Sequence, residues 1–264
     1  MARVLITGCS TGIGRATAAE LAARGHEVVA TARRPETLEG LIVAERLALD
    51  VDDDASVRAA VAAAGPVDVL VNNAGWETAG PVEVAPLDEV RAMCETNVLG
   101  PARMIQAVLP AMRERGRGTI VNVSSVAGVV AGPLNGFYSA SKHAVEALSE
   151  SLHYEVGHFG VRVVIIEPGA FATAFGDNAR RHGEDSPPYD ELRRQWDAAS
   201  EVLAGGAAPG PEPVAVAIAD AIEADDPPLR IPVGEDAQLV VAVRAANDDA
   251  TFEATMRETL GLTW

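Results

Sequence analysis

The chain has 264 residues, 48% of them hydrophobic, enough to bury one sizeable core, so a single domain over 1–264 is expected. Its formal charge of −17 at pH 7 excludes a phosphate-backbone partner, because nucleic-acid binders gather Lys and Arg, and here only Arg33-Arg34, Arg180-Arg181 and Arg193-Arg194 are locally basic. With no run of 18 apolar residues and no basic leader before an apolar stretch, a soluble, cytoplasmic protein without a membrane partner is expected; Cys9 and Cys94 have neither disulfide-framework nor metal-ligand spacing, and no metal is expected.

Short Val/Ile/Leu runs alternate with Ala/Leu/Arg/Glu stretches, the pattern of a parallel α/β sheet with helices on both faces. The first strand, 2–7, runs into Thr7-Gly8-Cys9-Ser10-Thr11-Gly12-Ile13-Gly14 and then a helix over 13–24. Glycines there let the backbone turn sharply and approach a pyrophosphate, which would sit against the free N–H groups of the helix start. Strands follow at 26–31, 46–50 and 67–72, with a helix at 54–64, and the fourth strand leads into Asn72-Asn73-Ala74-Gly75. A long helix over 87–114 contains Asn97, an awkward residue there because its amide competes with the helical backbone.

The fifth strand, 118–124, ends at Ser124 and Ser125, and carboxyl ends of parallel strands are where such sheets hold ligands. Either hydroxyl could bond a substrate oxygen, and the pattern of residues does not choose between them. A helix over 137–158 begins with Tyr138 and Lys142, four residues apart and so on one face. Of the 21 basic residues Lys142 is the sole lysine. A compact ammonium beside a phenol favours the phenolate and lowers the tyrosine pKa from its reference of about 10, fitting Tyr138 for proton exchange. Beyond the strand at 161–167, the segment 174–210 is rich in Gly, Pro and charge and reads as an irregular stretch, either a substrate-covering loop or a solvated insertion. A helix at 212–224, a strand at 229–233 and a further helix at 236–246 complete the pattern.

The spacing Gly-x-x-x-Gly-x-Gly, with Asp50-Val51, Asn72-Asn73-Ala74-Gly75, Asn97, Ser125, Tyr138-Ser139-Ala140-Ser141-Lys142 and Pro168-Gly169 followed by Thr173, resembles the short-chain dehydrogenase/reductase family in order along almost the whole chain. The stretch from Gly8 to Phe175 looks most like the branch containing estradiol and retinol dehydrogenases. The resemblance implies a Rossmann-type doubly wound sheet of about seven strands and hydride transfer between a nicotinamide and a ketone or secondary alcohol. It implies a catalytic set of Asn97, Ser125, Tyr138 and Lys142, with Tyr138 as general acid/base, Ser125 selected over Ser124 by its distance to the tyrosine, and Asn97 anchoring a water relay to Lys142. Cofactor contacts are implied at Gly8, Ser10, Thr11, Gly12, Ile13, Gly14, Asp50, Val51, Asn73, Ala74, Gly75, Tyr138, Lys142, Pro168, Gly169 and Thr173.

No acid follows the second strand, which ends Ala30-Thr31-Ala32-Arg33-Arg34. Without a carboxylate for the adenosine ribose, Arg33, helped by Ser10, offers a fork for a 2′-phosphate, so NADP(H) is favoured over NAD(H). Trp76, Leu134, Phe137, Phe171, Phe175 and Trp196 are candidate walls for an apolar substrate. Met104, Val108, Leu148 and Leu152 read as surplus apolar positions on the two long helices, which with the resemblance implies a homodimer or homotetramer. A non-catalytic NADP-binding module would lack the tyrosine or the lysine, and both are kept. A sugar-nucleotide epimerase would carry a larger C-terminal domain, and only about 50 residues follow the loop.

Overall fold

The computed structural model describes residues 1–203 and 208–264. Seven strands, β1 (Arg3–Ile6), β2 (Glu27–Ala32), β3 (Glu45–Ala48), β4 (Val69–Asn72), β6 (Gly118–Val123), β7 (Val161–Pro168) and β9 (Arg230–Val233), form one parallel sheet in the order β3-β2-β1-β4-β6-β7-β9. The central strands read as near-continuous apolar runs because both faces are covered. Alternate residues serve opposite layers. Val4, Ile6, Val121, Val164 and Ile166 pack with Ala18 and Leu21 of α1 (Gly12–Ala23) and Val214, Ile218 and Ile222 of α8 (Glu212–Glu223). Leu5, Val29, Leu70, Ile120 and Val163 face α2 (Asp54–Ala64), α4 (Gly100–Arg115) and α5 (Gly136–Val156).

Strand order reverses between β1 and β4, and the connections leave their carboxyl ends in opposite directions, opening the crevice in which such sheets hold ligands. Gly8 and Gly12 have φ values of +73° and +56°, where a side chain is strained, and a Cβ on Gly8 would meet Ala74 Cα at 2.8 Å.

Four sequence expectations change. The helix expected over 87–114 is α3 (Leu87–Cys94) and α4, joined by a π turn over Glu95–Leu99 that contains Asn97. Widening the helix there lets the Asn97 amide bond other chain segments instead of competing with its own backbone. The segment 174–210 is largely ordered rather than irregular: α6 (Ala174–Asp177), a two-residue strand β8 (Arg180–Arg181) paired with β5 (Thr78–Ala79), a 3-10 turn over Pro187–Tyr189 and α7 (Asp190–Leu203). Pro187 and Pro188 start this helical stretch rather than break it, since proline at a first turn gives up no needed N–H. Gly205 and Gly206 lie outside the described residues. After α9 (Glu235–Ala246) the chain adds an unanticipated helix, α10 (Asp249–Leu260), capped by Asp248 accepting from Thr251 N at 2.8 Å. Met104, Val108 and Leu152, read as surplus, lie in the core, because α4 and α5 spend these residues on the sheet.

Candidate active site

A cleft of about 520 Å³ runs along the carboxyl ends of β1, β2, β4, β6 and β7. One half is the glycine loop. Gly8, Ser10, Thr11, Gly12 and Ile13 line it, with Arg33 exposed at the end of β2 and Asp50, Val51, Asn73, Ala74 and Gly75 opposite. Thr11 caps α1 without a side-chain bond, leaving first-turn N–H donors for an anion. Gly14 does not reach the cleft. It packs beneath, where a Cβ would strike Asn73 Nδ2 at 2.4 Å and Gly8 O at 2.5 Å, so its role is close packing. Asn73 Nδ2 donates to Thr7 O at 2.9 Å and Gly8 O at 3.1 Å, tying the loop after β4 to the glycine loop. Open amides, a cationic fork and an extended trough fit a dinucleotide carrying a diphosphate.

The other half gathers Ser125, Tyr138, Lys142, Pro168, Gly169 and Thr173, with Trp76, Phe171 and Phe175 beside them. Tyr138 and Lys142 are 8% and 6% exposed, and the Lys142 ammonium stands 5.7 Å from the Tyr138 ring centroid while donating to Val123 O at 2.9 Å. Burial pushes the Lys142 ammonium down to about 8, against the charge of Glu146, which raises it. The Tyr138 phenol is shifted upward, foremost by burial and next by the charge of Glu77, with the Ser125 hydrogen bond opposing. A lowered phenol was expected. Desolvation sets the direction, and the Lys142 ammonium donates to a backbone carbonyl instead of to the phenol.

Asn97 lies outside the cleft wall but is 2% exposed and fully engaged. Its Oδ1 accepts from Trp76 N at 3.0 Å, and its Nδ2 donates to Trp76 O at 2.9 Å and Ser141 Oγ at 3.1 Å. Ser141 Oγ in turn donates to Tyr138 O at 2.7 Å, so Asn97 joins the loop after β4 to the first turn of α5.

Leu134, Phe137 and Trp196 do not line this cleft. Leu134 occupies a turn with φ +59° whose carbonyl accepts from Gly80 N at 2.7 Å. Trp196 of α7 belongs to a second, mainly apolar cavity of about 600 Å³ between the stretch 126–135, α7, α9 and α10. Val126 and Ala127, next to Ser125, and Asn135, three residues before Tyr138, form the end of this cavity nearest the cleft residues along the chain, and Phe252, Met256 and Leu260 of α10 form another wall. The Asn135 Oδ1 atom is buried without a partner. Sequence reasoning missed α10 and also Asp52, Thr96 and Arg180 of the cleft, where the Arg180 guanidinium stacks 4.4 Å from the Trp76 ring. The amphipathic spacing of 249–260 was the available signal for α10; no local signal marks Asp52, Thr96 or Arg180. Among the described residues no cluster of His, Cys, Asp or Glu could hold a metal ion, and no helix is long and apolar enough to cross a membrane.

The family profile described as short chain dehydrogenase matches residues 2–184. A 3-ketodihydrosphingosine reductase of Bacteroides thetaiotaomicron is 39% identical over 246 residues, covering 90% of each chain. Human retinol dehydrogenase 8 is 37% identical over 250 residues, covering 86% of this chain and 79% of the relative. A short-chain dehydrogenase structure from Streptomyces avermitilis aligns with TM-score 0.82 at 37% identity over 100% of this chain and 99% of that one. A Burkholderia cenocepacia short chain dehydrogenase in complex with NADP aligns with TM-score 0.77 at 25% identity over 97% of both chains. A Brucella melitensis 3-ketoacyl-(acyl-carrier-protein) reductase complexed with NADH aligns with TM-score 0.74 at 26% identity over 87% of this chain and 95% of that one.

Proposed function

The chain belongs to the short-chain dehydrogenase/reductase family, oxidoreductases that use nicotinamide cofactors, and we propose that this member moves a hydride between NADP(H) and an apolar ketone or secondary alcohol. The observation that carries the reading is that Ser125, Tyr138 and Lys142 line the same cleft as the glycine loop and Arg33. Bound there, the nicotinamide supplies or accepts the hydride. Tyr138 gives its phenolic proton to the carbonyl oxygen in reduction and takes it back in oxidation. Ser125 Oγ donates to the same oxygen and stabilises charge developing on it. Lys142, as an ammonium, stabilises the phenolate left behind and would hold the nicotinamide ribose. Asn97 keeps the Trp76 loop and the start of α5 in register around these groups.

Relatives of this fold carry NADP in one case and NADH in another, so the cofactor preference rests on this chain's own residues. An exposed Arg33 where β2 ends, with Ala32 where an acid would accept the ribose hydroxyls, supports NADP(H). The 600 Å³ apolar cavity, lined in part by Val126 and Ala127, which follow Ser125 in the chain, supports an apolar substrate body, a volume within the range of drug-sized ligand sites. Cys9 and Cys94 are free thiols, which fits a reducing compartment, and we place the protein in the cytoplasm as a single-domain homo-oligomer.

The test is a ketone panel run with NADPH and NADH while nicotinamide absorbance is followed. NADPH should support turnover of long or fused-ring ketones well above that of sugars, and Arg33→Ala should erase the preference for NADPH. Equal kcat/KM for the two cofactors in the parent would overturn the cofactor reading, and better turnover of sugars would overturn the substrate class.

A further inference from the structure

Tyr138, Lys142, Glu146 and Glu150 repeat every four residues along α5 and so follow one face of the helix. Glu146 continues the catalytic stripe in a buried position, and Glu150, its side chain half exposed, ends it nearer the surface. Arg230 of β9 donates Nε to Glu146 Oε2 at 3.0 Å and a terminal nitrogen to Glu150 Oε2 at 2.5 Å. A third carboxylate, Glu167 of β7, enters from the sheet, with Oε1 3.7 Å from Arg230 Nε.

Three carboxylates thus surround one guanidinium, and their satisfaction is uneven. Glu167 is 1% exposed, and both of its oxygens lack a hydrogen-bond partner. Glu146 is 7% exposed, and its second oxygen, Oε1, is likewise unpartnered, as is the buried Ser124 Oγ. The Ser124 hydroxyl and the Glu146 side chain crowd the same point: a Cβ on Gly128 would meet Ser124 Oγ at 2.6 Å and Glu146 Cγ at 3.0 Å. Ionised together, Glu146 and Glu167 set two buried negative charges against a guanidinium that Glu150 also engages, with orphaned acceptors on both. One proton on the pair removes a charge and turns an orphaned acceptor into a donor.

We propose that Glu146 and Glu167, both buried on Arg230, hold one proton between them, and that Glu146 is a positioning residue which keeps Lys142 in its ammonium form. The groups facing the pair are Lys142 and Glu150 from α5, Arg230 from β9 and, beyond Gly169, Asp236 of α9, which accepts from Ala170 N at 2.7 Å. Burial first and the Glu146 charge second push the Glu167 carboxyl up to about 7, while Arg230 pulls it down. Only the kinetic consequence rests on the function proposed above; the proton and the lysine charge can be read without turnover.

Because Lys142 is the sole lysine, isotopic labelling of lysine gives one side-chain resonance, whose pH titration reports this ammonium directly in the full-length protein. Glu146→Gln should move its midpoint down by about one pH unit, a tenfold loss of proton affinity, and Glu146→Asp should restore part of it. Difference infrared spectra of wild type against Glu167→Gln should show a protonated-carboxyl band at pH 6 that titrates away near 7. A carboxyl whose folded pKa is raised costs stability as pH climbs from its unfolded value to its folded one. The gain in Tm of Glu167→Gln over wild type should therefore grow between about pH 4.5 and 7 and then level off. An absent band, together with a Glu167→Gln variant that loses more Tm at pH 8 than at pH 6, would make Glu167 an ionised partner of Arg230 and overturn the shared proton. An unmoved lysine midpoint in Glu146→Gln would overturn the positioning role. Failure of every ketone to react would refute the proposed activity and leave these readouts to decide the pair.

Discussion

Tyr138 sits where two opposing demands meet, since a proton-transfer group must be shielded from bulk water yet able to ionise. In the free protein burial wins, and the Glu77 charge adds to it. Removing the hydroxyl by Tyr138→Phe should cost about 10²-fold or more in kcat, the scale of general acid–base catalysis, with NADP(H) affinity nearly unchanged. Stopped-flow turnover beside cofactor titration checks both, and near-parental kcat would take Tyr138 out of the mechanism. Glu77 allows a finer probe. Its carboxylate is itself pushed up by burial and lowered by Arg181, and its negative charge raises the phenol. Glu77→Gln should lower the Tyr138 pKa and shift the acid limb of alcohol oxidation, which needs the phenolate, to lower pH by roughly half a unit to one unit. A pH profile that superimposes on the parent would mean the carboxylate does not reach the phenol.

At the scale of elements, α7, in the segment read as an irregular cover, is a wall of the second cavity, and its Trp196 ring lies against Gly132. A Cβ on Gly132 would meet the Trp196 ring at 2.6 Å. Gly132→Val should displace that ring, narrow the cavity and raise KM for long apolar ketones several-fold, while a short ketone and the cofactor keep their affinities. A uniform change across the ketone series would separate Trp196 from substrate selection. Here the reach of the sequence is visible in particular residues. The glycine loop was legible because strand, turn and helix start are contiguous, and Tyr138 with Lys142 because helical periodicity places them together. Leu134 lines neither cavity, because nearness in sequence to Tyr138 does not fix where a side chain points, and a stretch of glycines and prolines did not reveal that Trp196 enters the second cavity rather than the cleft. Glu167 gave no local sign of its burial against Glu146, since the meeting of β7 with α5 is a property of the whole sheet. The π turn at Asn97 was half legible: the misfit of an amide in a helix could be read, its resolution by backbone widening could not.

For the whole molecule the governing quantity is the charge of −17 on a 27.4 kDa chain. Bringing two copies together sets these charges against one another, and salt screens that repulsion over about 10 Å at 0.1 M ionic strength. Exposed apolar residues on the long helical segments include Leu87, at 56% exposure, Leu99, at 47%, and Tyr154, at 77%, now that Met104, Val108 and Leu152 are accounted for by the core. Assembly into a dimer or tetramer should therefore be salt-dependent: light scattering at micromolar concentration should give two or four times the protomer mass near 0.15 M salt and shift toward 27.4 kDa near 0.01 M. Leu99→Lys combined with Tyr154→Lys should yield protomers at both ionic strengths with little change in Tm, since neither side chain belongs to the core, whereas a core lesion would lower Tm as well. A protomer mass at every salt concentration would refute the assembly, and a salt-independent oligomer would show that its interface lies where the charges do not meet.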